Sequence, residues 1–460
     1  MTEFVIRARD KTRTIAAIAT ARGLGGVAII RISGKSAFEV ADRVFSGPIL
    51  EYKSHTAHYG KIIDKHGSTI DNVLVLVMKG PKSFTGEDTV EIQCHGGELI
   101  PQKILERVFE VGAHPAEPGE FSEKAFFNGK LDLAQAEGLA AKIGATSDAS
   151  LKCAELQLEG ALSKKISSFQ KRISEIAAIL EAWVDFPEED LAFASFDSVI
   201  RDIELIISDM QRLVQTYERG KIMSDGVRLC LVGCPNVGKS SLMNALLQNE
   251  RAIVSPIPGT TRDVIEDQFH LNGLKFCIID TAGIRDTDEI IEEEGIRRSK
   301  KASELSDIII FVCDALAPHN AHYEALKEEL PLEKTILIWN KCDEEHRKPL
   351  PNFGIAKVLE ISAKEGLGLN KLHDTLCEAV LGKKALVQDE ITISQLRHKN
   401  LLSEAINHLE IVINGLQNGL SCEFISSDCR EALLCLGTII GTNVTEDILN
   451  AIFSKFCIGK

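Results

Sequence analysis

Gly233-Cys-Pro-Asn-Val-Gly-Lys-Ser240 decides the fold of this chain. It has the form G-x-x-x-x-G-K-[ST], the phosphate-binding loop of nucleoside triphosphatases. The apolar run Leu229-Cys-Leu-Val232 before it reads as a buried strand, and Ser241-Leu-Met-Asn-Ala-Leu-Leu247 after it reads as a helix. Strand, loop and helix are the context the motif needs, so a chance glycine-rich turn is the poorer reading. Glycines let backbone N–H groups close around phosphate oxygens, and the helix N-terminus adds its positive dipole end. Lys239 would reach the β- and γ-phosphates and the Ser240 hydroxyl would ligate Mg²⁺, with Asn236, Val237, Gly238 and Ser241 completing the loop.

Three segments further along select the nucleotide. Asn340-Lys341-Cys-Asp343 follows the apolar run Thr335-Ile-Leu-Ile-Trp339 and has the N-K-x-D form of guanine-reading GTPases. One carboxylate, Asp343, can accept from both the N1–H and the exocyclic amine of guanine. Adenine offers no such pair and would leave the carboxylate unmatched. Ser362-Ala363-Lys364 resembles the short loop that backs the base in the same proteins, and Asp280-Thr281-Ala282-Gly283 resembles the D-x-x-G switch near Mg²⁺. Thr260-Thr261-Arg-Asp263, after Pro258-Gly259, resembles the first switch, with Thr261 the second hydroxyl expected on Mg²⁺. Release of such loops when the γ-phosphate leaves is the expected output. Small GTPases commonly follow the D-x-x-G glycine with a water-orienting glutamine. Here that residue is Ile284, which cannot orient water, so attack needs another positioner; the acidic stretch Asp286 to Glu294 could supply a carboxylate from Glu289, Glu292, Glu293 or Glu294, although a charge run by itself more often reads as a solvated acidic loop.

At 460 residues the chain has room for about three domains. Its 44% apolar and 26% charged content is that of a soluble globular protein, and no run of about 18 apolar residues predicts a membrane span. The N-terminus lacks a basic region followed by an apolar core, so no secretory signal is expected. The 12 cysteines form no C-x-x-C pair, and Cys230, Cys277 and Cys313 sit in strand-like runs, as buried thiols of a cytoplasmic protein do. A net charge of −15 argues against a general nucleic-acid coat and confines any RNA contact to a local groove or to a more basic partner.

Strand-like runs at 227–232, 274–280, 307–313, 335–340 and 358–361 alternate with helix-sized intervals. This predicts a mostly parallel sheet with helices on both faces over residues 223–381. Leu162, Ile166, Phe169, Ile173, Ile176 and Leu180 recur at helical spacing, as do Ile203, Ile207, Met210 and Val214. Residues 390–456 are again helix-like. The predicted architecture is therefore a multidomain α/β and α chain, its P-loop GTPase domain inserted into a discontinuous helical domain (131–222 and 382–460). An α+β domain over 1–130 precedes it, with strands at 26–32, 71–77 and 89–92.

Four sets of residues resemble the MnmE (TrmE) family of tRNA modification GTPases across the whole chain. They are Gly25-Gly-Val-Ala-Ile-Ile-Arg-Ile-Ser-Gly34; the blocks Ser83-Phe-Thr-Gly-Glu-Asp88, His95-Gly-Gly97, Pro118-Gly-Glu-Phe-Ser-Glu123 and Lys130-Leu-Asp-Leu-Ala-Gln-Ala-Glu137; the GTPase series; and Cys457-Ile-Gly-Lys460. The resemblance implies that residues 1–130 bind 5-formyl-tetrahydrofolate or methylene-tetrahydrofolate and form a homodimer. It implies joint action with an FAD-dependent partner, MnmG (GidA), as a heterotetramer that adds a (carboxymethyl)aminomethyl group to C5 of the wobble uridine of certain tRNAs. Arg31, Glu91, Lys130 and Lys460 match its folate positions, although each taken singly reads as a surface charge or a salt-bridge member. Asn236, Ser255, Ile257 and Thr260 match its K⁺ site, with Pro256, Pro258 and Gly259 in the same loop. Glu292 aligns with its water-orienting carboxylate, and Cys457 with a near-terminal cysteine kept only as a candidate. A ribosome-assembly switch, or a folate-dependent aminomethyl transferase with an attached regulator, would share the same nucleotide domain. Folate binding separates the first from the family reading, and dependence on the flavoprotein separates the second.

Overall fold

The computed structural model describes residues 12–185, 195–249, 267–279, 304–317, 323, 330–348, 354–381 and 391–460. The chain divides into two compact units. Met1–Ala140, Ser163–Ser174 and Arg430–Lys460 make the first, and Ala141–Leu162 with Glu175–Cys429 make the second. The helical sequence on either side of the nucleotide motifs thus contributes to both units.

In the first unit, β1 (Ile15–Ile18), β2 (Val27–Ser33), β3 (Thr56–Ile63), β4 (Thr69–Met78), β5 (Thr89–His95) and β6 (His114–Pro115) form one sheet in the order β3-β4-β5-β2-β1-β6. Its pairs are antiparallel except β1 with β6. Alternation sets its two faces. Val73, Val75 and Val77 of β4 are buried with Ile104 and Val108 of helix Leu99–Glu110, while the alternating Asn72 and Leu74 are exposed and Leu76 is half-buried. The predicted strands at 26–32, 71–77 and 89–92 correspond to β2, β4 and β5. The sequence reading missed β1, β3 and β6; β3 buries only Ile62, so its apolar signal is weak. Later chain returns to this unit, where Leu449, Phe453 and Phe456 pack with Leu133 and Ala136.

In the second unit, β7 (Val227–Val232), β8 (Asp267–Leu271), β9 (Leu274–Ile279), β10 (Ile308–Asp314), β11 (Thr335–Asn340) and β12 (Lys357–Glu360) form a sheet in the order β12-β11-β10-β7-β9-β8. Only edge strand β8 is antiparallel. Five strands match the predicted runs within a residue or two at each end. Near-continuous burial of Ile308–Val312 and Thr335–Asn340 is what a sheet covered on both faces requires. Cys230, Cys277 and Cys313 are buried in these strands. The chain leaves β7 for β9 on one side and pairs β7 with β10 on the other, so the loop after β7 opens at the switch point where such sheets bind ligands. In the same unit, helix Phe196–Gln215 packs against helix Leu396–Gln417. The stripe residues Leu162, Ile166, Phe169, Ile173, Ile176, Leu180, Ile203, Ile207 and Met210 are all buried, and Val214 is half-buried. No helix of the described residues is long and apolar enough to cross a membrane.

Candidate functional site

Residues 233–240 turn from β7 into helix Lys239–Asn249, as the motif requires. Gly233 lies against β10, where an added Cβ would come 2.4 Å from the Val312 carbonyl oxygen. Gly238 takes φ +98°, and a Cβ there would meet Asn340 Nδ2 at 2.2 Å. Both positions therefore demand glycine for space as well as for backbone freedom. Lys239 Nζ donates to the carbonyls of Gly233 and Cys234, each at 2.8 Å, across the mouth of the loop. Burial holds its ammonium below the usual lysine range, partly offset by Cys234. Asn236 adopts φ +62° and is exposed; Ser240 and Ser241 are exposed at the start of the helix.

The guanine-reading segments clasp this loop. Asn340, 2% exposed, donates from Nδ2 to the Val237 carbonyl at 2.8 Å and accepts from Ala363 N at 3.0 Å. One amide thus ties the phosphate loop to the Ser362-Ala363-Lys364 turn. Lys341, at φ +67°, donates to the Asn236 carbonyl at 3.1 Å and pairs with Asp314 at the end of β10. The Ser362 hydroxyl accepts from Glu365 N at 3.1 Å and is the leading cause that holds the exposed Asp343 carboxyl below the usual carboxylate range. Asp343 is thereby kept ionised and acceptor-only, the form that matches two adjacent guanine donors. Lys364 is exposed, 3.9 Å from Glu365 Oε1.

A second cluster lies in the first unit. Arg31 of β2 and Glu91 of β5 are register partners, and Arg31 Nε donates to Glu91 Oε1 at 2.9 Å. Arg31 Nη1 also donates to the Gly459 carbonyl at 3.3 Å, across 428 positions of sequence. The guanidinium lies 5.8 Å from the Phe84 ring centroid and 5.7 Å from that of Phe121. Gly459 has φ +93°, and a Cβ would meet the Ile18 carbonyl at 2.5 Å, so the 457–460 segment seats directly on β1. Lys460, half-buried, follows at once. Lys130 is not joined to this pair; its Nζ donates to the Pro81 carbonyl at 3.1 Å on the neighbouring loop. Cys457 is exposed, and its carbonyl accepts from Lys460 N.

The structure brings together Asn236, Val237, Gly238, Lys239, Asn340, Lys341 and Ala363 in the first cluster, and Arg31, Glu91 and the Lys460 segment in the second. Ser255, Pro256, Ile257, Pro258, Gly259, Thr260, Thr261, Asp280, Thr281, Ala282, Gly283 and Glu292 lie outside the described residues. Sequence reasoning missed Asp314, Phe84, Phe121 and the Gly459 carbonyl. A carboxylate closing the apolar run of β10 was a visible signal for the first; the others stand inside the blocks 83–88, 118–123 and 457–460 that carry the family resemblance, which was the signal for them.

A family profile described as the MnmE helical domain matches residues 133–457, and one described as the GTP-binding protein TrmE N-terminus matches residues 14–130. A tRNA modification GTPase MnmE of Protochlamydia amoebophila is 53% identical over 458 residues, with 100% of each chain covered. The protein of the same name from Acetivibrio thermocellus is 40% identical, over 98% of this chain and 100% of its own. Among solved structures, the FeoB G-domain from Methanococcus jannaschii is 26% identical over 34% of this chain and 97% of that one, with a TM-score of 0.26.

Proposed function

The chain belongs to the MnmE family of tRNA modification GTPases, and from that premise we propose a K⁺-dependent GTP hydrolase that works with an FAD-dependent MnmG partner. Together they add a (carboxymethyl)aminomethyl group to C5 of the wobble uridine of certain tRNAs, using a tetrahydrofolate one-carbon unit. GTP hydrolysis in tRNA modification is the family's activity; the cation, the partner and the folate chemistry are our reading.

Asp343 accepts the guanine donors, and Lys239 carries positive charge to the β- and γ-phosphates. The hydroxyls of Ser240 and Thr261 are hard oxygen ligands suited to Mg²⁺. Asn236, Ser255, Ile257 and Thr260 offer oxygens of the kind K⁺ takes; a monovalent cation there would offset charge developing at the β–γ bridge. Glu292 orients the attacking water in place of the glutamine that Ile284 lacks. In the first unit, Arg31 and Glu91 provide a donor and an acceptor beside two aromatic rings, which suits a flat pterin and its carboxylate tail. Lys130 and Lys460 would add positive charge. The homodimer reading is supported by Tyr59 and Leu74, 74% and 45% exposed, which face each other in the β3–β4 register on the side of the sheet away from the core.

The observation that carries the reading is the hydrogen bond from Arg31 to the Gly459 carbonyl. It closes, in the unit without the nucleotide loops, a donor and acceptor pair beside two aromatic rings, a cluster that GTP hydrolysis by itself does not call for. The test is calorimetric titration of the full chain with 5-formyl-tetrahydrofolate, beside GTP turnover in KCl and NaCl. We expect binding that Arg31→Ala abolishes, faster turnover in KCl, and turnover lost with nucleotide binding kept in Glu292→Ala. A chain that binds no folate and turns over equally in both salts refutes the proposal.

A further inference from the structure

Residues 161–174 read Ala-Leu-Ser-Lys-Lys-Ile-Ser-Ser-Phe-Gln-Lys-Arg-Ile-Ser: four cations and no carboxylate, in a chain with 67 acidic residues and a net charge of −15. They form the first half of helix Ala161–Asp185. One face is anchored, with Ile166, Phe169 and Ile173 buried, and Lys165 lies to the side with Nζ 5.1 Å from the Phe169 ring. The other face presents Lys164, Ser167, Ser168 and Lys171, all exposed. Among the described residues neither Lys164 nor Lys171 is paired with a carboxylate. Seven residues of helix separate the two ammonium groups by about 10 Å along the axis. Neither the nucleotide cluster nor the Arg31 cluster uses any of these side chains.

We propose that this face binds the sugar–phosphate backbone of the tRNA, with Lys164 and Lys171 on phosphates and Ser167 and Ser168 on 2′-hydroxyls between them. The inference rests on the tRNA-modifying reading above and names where the RNA is held. An acidic protein repels a polyanion over most of its surface, so a rigid helix face that carries two lysines and no carboxylate from 161 to 174, with the exposed Glu175 only at its far end, is where the approach is favourable. A-form RNA is recognised largely through phosphates and 2′-hydroxyls lining its wide, shallow minor groove. Lysine supplies a point charge for the first, and serine both donates to and accepts from the second. None of these contacts reads a base, so this face fixes the position of the tRNA and leaves the choice of nucleotide to another surface.

The test is fluorescence anisotropy of a labelled, unmodified tRNA transcript titrated with the full chain at several KCl concentrations. Lys164→Gln with Lys171→Gln should weaken binding at least about tenfold and lower the slope of log affinity against log salt by about two, one for each phosphate no longer neutralised. Lys164→Arg with Lys171→Arg should hold the parent affinity and slope. Ser167→Ala with Ser168→Ala should weaken RNA binding and leave a DNA stem-loop of the same sequence unaffected. GTP turnover without tRNA should be the same in all variants. If the parent binds tRNA and the glutamine variant matches its affinity and slope, the assignment of this face is overturned while the tRNA reading stands. If the parent binds no tRNA, the tRNA reading fails and takes this one with it. Lysine-dependent binding to phosphatidylserine vesicles, with tRNA binding unchanged, would also overturn it in favour of a membrane surface.

Discussion

Asn340→Ala tests whether the base-reading and phosphate-binding loops act as one device. The substitution removes the donor to the Val237 carbonyl and the acceptor for Ala363 N, at a residue only 2% exposed. A buried polar group left unmatched costs about 1–3 kcal/mol, so the two together cost about 2–6 kcal/mol. The share at Val237 falls on the phosphate loop; about 1–3 kcal/mol there corresponds to about 5- to 150-fold weaker GDP binding. Gly238 sharpens the test, because its added Cβ would meet Asn340 Nδ2 at 2.2 Å. Gly238→Ala in the parent suffers both that clash and the cost of φ +98°; in the Asn340→Ala background only the backbone cost remains. The two substitutions should therefore be less than additive in a double-mutant cycle, by more than about 0.5 kcal/mol. The assay is equilibrium binding of a fluorescent GDP analogue to the four proteins, with thermal melting to check the fold. Additive effects, or a GDP affinity in Asn340→Ala within about twofold of the parent, would refute the clasp.

Gly459→Ala should unseat the 457–460 segment, since the new Cβ falls 2.5 Å from the Ile18 carbonyl; without the Arg31 hydrogen bond, 5-formyl-tetrahydrofolate binding should weaken about 10-fold or more by calorimetry, with GTP turnover unchanged. Asp343 is held below the usual carboxylate range, so it stays charged as acid is added and its contribution disappears only as pH falls through that lowered value. The guanine contribution, read as the GDP affinity relative to that of a diphosphate nucleotide without the guanine donors, should therefore be flat through neutral and mildly acidic pH. In Ser362→Ala the leading cause of that lowering is gone, and the fall should begin at higher pH in the same titration. Lys239 has its pKa lowered by burial, and nucleotide phosphates would raise it again. Binding at alkaline pH, between that lowered value and the ordinary lysine range, should therefore take up protons, read from calorimetry in buffers of different ionisation enthalpy; zero uptake across the alkaline range would count against the Lys239 role.

The nucleotide unit was largely legible because each of its signals is local. Apolar runs of strand length preceded the phosphate loop and the D-x-x-G, N-K-x-D and Ser362-Ala363-Lys364 motifs, and all five predicted strands form the sheet. Edge strand β8 escaped because Asp267–Leu271 buries only Phe269 and Leu271. The Arg31 cluster was legible only through family resemblance. Arg31 and Glu91 are 60 positions apart, and their pairing depends on the β2–β5 register, which neither strand states alone. Gly459 reaches them through the packing of Phe453 and Phe456 on Leu133, a long-range contact with no periodic signature. The apolar stripes of the helices gave their buried faces correctly, but no spacing foretells that one helix, Ala161–Asp185, is divided between two compact units.

The seating of Gly459 on β1 sets a clock on biosynthesis. Arg31 leaves the ribosome early, and its carbonyl partner is still 428 codons from translation. At about 5–20 residues per second, about 20–90 s pass before the cluster has all its parts. During that interval the nascent amino-terminal sheet lacks the piece that closes over Arg31, whereas the phosphate loop, Asn340 and Ala363 have already emerged. The Arg31 cluster is therefore completed after the nucleotide loops on every newly made molecule, and a message cut short after residue 429 would leave Arg31 without its carbonyl partner.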